Sequence, residues 1–252
     1  MSQLIGPGDI IVVSWQNFRR NFQFYAEMVV WTMLLSLLQW TISVVLQTYV
    51  PDKITRLMIF SVLSIPSSLA FLAIYVTTID LTVRGLSGET LSIRKSFLHG
   101  LRRLFPLLWV SFLVSIAVFG GFFMLFVPAL IFLIWFRFAP YHVMADDERG
   151  TSALKSSRNL VTGRWFAVLF RVAVPFVFFA IAASFARMLV YLAVGTAMGD
   201  PRLFFGQVAD ADQLSHLHTL ITAIVPQAID SLAVALFLGA DLALWLDLKR
   251  KG

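Results

Sequence analysis

Seven ionisable residues lie where the chain is otherwise apolar: Glu27, Asp80, Arg137, Arg171, Arg187, Asp230 and Asp241. A charge in hydrocarbon is costly, so each needs a partner, water or an interface within reach. Counting 1.5 Å per residue from the nearest polar flank places Glu27, Asp80, Arg137, Arg171 and Asp241 within roughly 13 Å of one end of their helices. Such a belt serves a polar cavity for a lipid headgroup or small anion, a proton-coupled path, or a set of structural ion pairs. The structural reading has the better grounds, because all five lie within long-side-chain reach of the interface. Arg171 with Asp241 is the expected buried pair. Asp230 lies deeper, one turn beyond Pro226 and Gln227. Proline frees a backbone carbonyl, and an amide and a carboxylate beside it can bind a cation or share a proton. Arg187 is the natural countercharge, and a structural Arg187–Asp230 link is the expectation.

Other chemistry is sparsely represented. His216 and His218, with Asp210 and Asp212 upstream, could ligate a metal on a strand or loop, whereas a helix turns the two histidines to different faces. Asp146-Asp147-Glu148 is read as the start of a helix whose dipole it complements. Gly85-Leu86-Ser87-Gly88 lacks the glycine spacing of a nucleophile elbow, and no phosphate loop, dinucleotide fingerprint or zinc-protease motif occurs. The chain contains no cysteine, which removes disulfides and thiolate chemistry. The expectation is a protein that is not an enzyme, with no cofactor and no metal.

The elements that position these residues are membrane-spanning. The 252 residues are 59% hydrophobic and only 13% charged, with 24 phenylalanines and 7 tryptophans and a mean hydropathy of +0.82. A water-soluble fold of this size cannot hide so much apolar surface. About 20 apolar residues cross the hydrocarbon core, and the uncharged runs give six spans at approximately 26–50, 57–80, 106–126, 128–145, 165–198 and 214–247. The stretch 104–145 is too long for one crossing and carries one charge, Arg137, so it must turn back, with Val127-Pro128 the preferred place over Gly120-Gly121. The fold expected is all-α: a single polytopic membrane domain over residues 1–252, its six transmembrane helices arranged as three hairpins. No cleavable leader is expected, so span one stays in place.

Fourteen of the 20 lysines and arginines fall on one set of flanks and three, Lys53, Arg56 and Arg202, on the other. The excess marks the cytoplasmic side, so both termini are expected inside, in a bacterial inner membrane. The formal charge of +6 is accounted for by topology and anionic lipid, not nucleic acid. Three of these flanks share a pattern of aromatic and basic residues before a membrane entry: Trp15 and Phe18 with Arg19 and Arg20; Arg94, Lys95, Phe97, Arg102 and Arg103; and Lys155, Arg158, Arg164 and Trp165. The physical reading is amphipathic cytoplasmic helices lying in the interface with cations toward lipid phosphates.

Residues 88–165 resemble the membrane domain attached to some bacterial glycerophosphodiester phosphodiesterases, and the related YciC-like integral membrane proteins. The likeness rests on Ser96-Phe97 with Gly100-Leu101-Arg102-Arg103-Leu104-Phe105-Pro106, on Val127-Pro128-Ala129, on Ala139-Pro140 before Asp146-Asp147-Glu148 and Gly150, and on Ala153 to Val161 leading to Gly163-Arg164-Trp165. The ending Trp245-Leu246-Asp247-Leu248-Lys249-Arg250 is similar to the family's terminus. Ala129 stands where the family has glycine. What the resemblance implies is a six-helix membrane domain, not the phosphodiesterase activity, whose barrel domain has no counterpart here. The function expected is binding or organising anionic membrane lipid, or serving as the membrane subunit of a protein partner or a homo-oligomer. The alternative is a small transporter or channel using Asp230/Arg187 and Arg171/Asp241.

Overall fold

A computed structural model describes residues 4–124, 126–198 and 216–251. Among them no strand occurs, and the helices are α1 (Pro7–Arg20), α2 (Phe22–Tyr49), α3 (Lys53–Ser87), α4 (Ile93–Met124), α5 (Phe126–Trp135), α6 (Ala139–Ala145), α7 (Thr151–Val161), α8 (Trp165–Met198) and α9 (His216–Lys251). Six stretches are long and apolar enough to cross a membrane, the fourth formed by α5 and α6 together. Large side chains such as Phe105, Phe123 and Phe166 stand almost fully exposed along them. In water that surface would aggregate; in lipid it is the outer wall of a multi-pass membrane protein.

The spans are longer than the apolar runs suggested. The second extends to Ser87 and the third begins at Ile93, so the basic–aromatic segment before span three is not a separate surface helix but the first turns of α4. Pro106 lies inside α4 without ending it. α4 ends at Met124 and α5 begins at Phe126, just ahead of Val127-Pro128, which leaves Pro128 in the first turn of α5, where its missing N–H costs nothing. Gly121 lets α5 lie against α4: a Cβ there would come within 2.8 Å of the Ala129 backbone nitrogen.

The described residues pack as two compact units. One gathers those of Met1–Phe24, Tyr75–Phe178 and Ala235–Gly252, the other those of Tyr25–Ile74 and Phe179–Val234. In the second unit some of the polar contacts between helices are made by hydroxyls and amides. Thr32 and Ser231 share a hydrogen bond of 2.9 Å, and Gln39 donates to Ser67 at 2.9 Å. Other serines and threonines bond to a carbonyl one turn back in their own helix, as Ser61 does to Leu57, which satisfies a hydroxyl where no water is at hand.

In the first unit α1 is held on one side only. Ile10, Ser14, Asn17 and Phe18 are buried; Ser14 donates to the Leu236 carbonyl at 2.6 Å, beside Gly239, whose lack of a side chain leaves room for the hydroxyl. α7 likewise buries Ala153, Ser157 and Val161, and Gly163, at φ 82°, lets the chain turn from it into α8.

The short connection between α2 and α3 contains a cap. Asp52 accepts the Thr55 N–H at 2.7 Å, and bonds from the Thr55 side chain and backbone hold its carboxyl below the ordinary value of 3.8. A depressed carboxylate stabilises the helix end above its unfolded pKa, and the gain is lost as pH falls through the folded value. Asp52→Ala should therefore speed amide exchange at residues 53–56 at neutral pH, with wild type and variant converging in strong acid.

Candidate functional site

Two of the polar residues expected inside the spans, Arg137 and Asp241, meet at an interruption of the fourth span. Pro140 causes it. A helix continued through residue 140 would leave the Phe136 carbonyl without its donor and pressed by the proline ring. The chain instead tightens, with Ala139 N–H donating to Phe136 at 3.2 Å, and α5 gives way to α6 over residues 136–138. α7 repairs the exposed backbone. The Ser157 hydroxyl accepts the Phe138 N–H at 3.1 Å and donates to the Trp135 carbonyl at 2.7 Å. Arg158, one residue on, lies 4.5 Å above the Trp135 ring.

Arg137 projects from this break. Its guanidinium meets Asp241 of α9 at 2.6 Å, and Tyr141 donates to the same carboxylate at 3.1 Å. The Asp241 side chain is 8% exposed and that of Arg137 33%; the arginine's Nε is buried with no hydrogen-bond partner among the described residues. The expected Arg171–Asp241 pair is therefore corrected. Arg171 instead donates to the Ile5 carbonyl at 2.8 Å, to Ala167 at 3.0 Å and to Leu4 at 3.5 Å. The Ile5 N–H in turn donates to Asp247 at 2.9 Å. Depth counted along a helix gave the two arginines similar heights; the break turned one of them to the carboxylate, and the N-terminal segment occupied the other.

Along α6 and the end of α9 runs a relay that nothing in the sequence pattern flagged. Trp245 Nε1–H donates to His142 Nε2 at 3.3 Å, and His142 Nδ1 lies 2.9 Å from Asp146. Lys249 reaches the other Asp146 oxygen at 2.5 Å and sits 4.9 Å over the Trp245 ring. The indole donor fixes the tautomer, since a nitrogen that accepts cannot carry the proton, so Nδ1–H donates to Asp146. His142, Asp146 and Glu148 have ligand atoms within 4.8 Å of one another, but metal ligation through Nδ1 would move the proton to Nε2, against the indole N–H. The donor set fits a hydrogen-bond chain better than a cation. Asp146-Asp147-Glu148 precedes α7 rather than starting it, and Glu148 accepts from Ser156 at 2.9 Å.

The remaining candidates divide plainly. Asp80, buried, accepts Arg84 at 2.7 Å and lies 2.6 Å from His99 Nδ1. Glu27 is exposed on α2 and belongs to the other unit. There Arg187 faces Asp230 at 3.4 Å, with side chains 36% and 48% exposed. Of the residues expected to touch lipid, Arg19, Arg94, Lys95, Arg102 and Lys155 are exposed. Arg103 is not free to do so: it donates to the last carbonyls of α6, Val143 at 2.6 Å and Met144 at 2.9 Å. Arg20 bonds to the Gly85 carbonyl, Arg158, though exposed, is stacked on Trp135, and Arg164 is half-buried. Cations near a helix C-terminus or an indole find those partners before a phosphate. His216, His218, Asp210 and Asp212 have side chains outside the described residues.

The chain matches no protein-family model, and comparisons with curated proteins and with solved structures return no match.

Proposed function

We infer that this chain is a non-enzymatic bacterial inner-membrane protein, both termini cytoplasmic, whose six spans form three hairpins and whose cytoplasmic face binds and organises anionic lipid. The observation that carries the reading is the two-sidedness of α1. One face is seated on protein, with Ile10 fully buried; the other holds Val12 and Trp15, each about half exposed, beside the exposed Arg19. A tryptophan and aliphatic groups next to an arginine are what a helix presents to the boundary of headgroups and acyl chains. The first turns of α4 continue the pattern with Arg94, Lys95 and Arg102 among exposed Phe97, Leu98, Leu101 and Phe105.

The reading is tested by native mass spectrometry of the full chain in mild detergent. Phosphatidylglycerol should be retained over phosphatidylcholine, and Arg19→Gln with Arg102→Gln should cut that preference. Each cation at the surface is worth about 1 kcal/mol, so the pair should cost about 30-fold. Equal retention of the two lipids by the wild type would refute lipid recognition.

Transport draws support from a single observation, the accessible Arg187–Asp230 pair. Arg137, Asp241 and Arg171 are bonded to protein groups, which leaves them no ligand to carry. Liposome flux that disappears in Asp230→Asn would decide for the transporter.

A further inference from the structure

Two of the ion pairs among the described residues of the spans differ in what lies around them. Asp241 is shut against Arg137 and Tyr141, whereas Arg187 and Asp230 are 36% and 48% exposed and 3.4 Å apart, each with polar atoms left over: a guanidinium has five N–H donors and a carboxylate about four acceptor sites. Both residues stand on long apolar helices, so their open sides meet hydrocarbon unless something polar covers them, and hydrocarbon is the most costly surrounding a charge can have.

Position along the helices says what covers them. Arg187 is 22 residues beyond Trp165 at the start of α8, about 33 Å of rise. Asp230 is 19 residues before Lys249 near the end of α9, about 29 Å. The start of α8 follows Arg164 and the end of α9 carries Lys249, Arg250 and Lys251, the basic flanks assigned to the cytoplasmic side. The hydrocarbon core is about 30 Å thick. Two independent counts therefore bring the pair to the opposite edge of the core, at the headgroups of the outer leaflet. Tyr191, one turn further along the same side of α8 as Arg187, is an aromatic of the type enriched there.

We propose that Arg187 and Asp230 form a site for a zwitterionic phospholipid headgroup of the phosphoethanolamine class, phosphate on the guanidinium and ammonium on the carboxylate. A purely anionic headgroup gains at Arg187 but is opposed by Asp230, and a cation meets the reverse. A headgroup carrying both signs satisfies both, and hydrogen bonds to ionised partners are the strong kind. Choline, whose nitrogen has no hydrogen to donate, loses the bond to Asp230. The proposal uses the six-span topology but not the lipid contacts of α1.

The test titrates the full chain in mild detergent with lipids of identical acyl chains and stepwise N-methylated headgroups, read by native mass spectrometry. Phosphatidylethanolamine should be retained about tenfold over phosphatidylcholine, a difference of about 1.4 kcal/mol, with retention dropping at the step that removes the last N–H. Asp230→Asn should erase that preference, and Arg187→Gln should weaken retention of both lipids. Arg19→Gln with Arg102→Gln should leave the phosphatidylethanolamine preference intact, and Asp230→Asn, which removes the charge that opposes an anionic headgroup, should not lower phosphatidylglycerol retention, so the two lipid readings fail separately. The methylation series needs no variant, and flat retention across it overturns the proposal even if the substituted chains do not fold. Soluble phosphoethanolamine competing as well as the lipid would show a free-solute site and overturn the headgroup assignment, and a preference unchanged in Asp230→Asn would place the discrimination elsewhere.

Discussion

Asp241→Leu is expected to lower the stability of the detergent-solubilised protein by about 3 kcal/mol, Arg137→Met by somewhat less, and the double variant by less than either. The reason lies in what each change leaves behind. Removing Asp241 strands a guanidinium whose Nε is already buried without a partner and takes the acceptor from the Tyr141 hydroxyl. Removing Arg137 leaves a carboxylate that is 8% exposed, still bonded to Tyr141. Removing both replaces an ion pair by apolar side chains in apolar surroundings, which is often neutral. The expected single-variant costs sit at the low end of the range for buried pairs, because Arg137 is a third exposed and partly screened. Unfolding curves of the four species give the coupling energy directly. Arg171→Met combined with Asp241→Leu is the control: with the side chains bonded to Ile5 and to Arg137 respectively, their effects should add. Additivity for Arg137 with Asp241, or coupling for Arg171 with Asp241, would reverse the assignment.

That contrast marks where the sequence stopped being readable. Apolar length and the scarcity of charge suffice for six spans, because hydrocarbon tolerates only helices that satisfy their own backbone. Counting residues along a span yields height. It does not yield the direction a side chain faces, and Arg137 and Arg171 were separated by direction alone. Pro140 implies a break at residues 136–138 by its missing N–H, which the pattern Ala139-Pro140 by itself does not convey. Nothing in the types of Leu4 and Ile5 announces that their carbonyls occupy Arg171, because backbone acceptors carry no sequence signature. In the relay, His142 and Asp146 stand at the i,i+4 spacing of a helix, but Trp245 lies 103 positions from His142, beyond any spacing argument. By type and position alone, every basic residue before the spans faces lipid. Arg103 and Arg158 instead found helix carbonyls and an indole, which compete with phosphate whenever a helix end lies within reach.

Ser157→Ala should cost about 2–4 kcal/mol, more than its single lost oxygen suggests. The hydroxyl is the common partner of two backbone groups freed by the α5–α6 break, the Phe138 N–H and the Trp135 carbonyl. Each buried group left unsatisfied costs about 1–3 kcal/mol, and Ser157 is fully buried, so water has no ready way in. Ser157→Thr keeps the hydroxyl and should recover part of the loss, less the strain of one added methyl in a packed position. The sharper consequence concerns Arg137, which lies between the two rescued groups. With the turn at 136–138 no longer pinned, its guanidinium is no longer aimed at Asp241. The Arg137–Asp241 coupling measured in the Ser157→Ala background should therefore shrink, and amides 136–139 should lose exchange protection before the rest of α6. If Ser157 merely fills space against Trp135 and Phe138, the variant will lose stability while the coupling between arginine and aspartate stays as large as in the wild type.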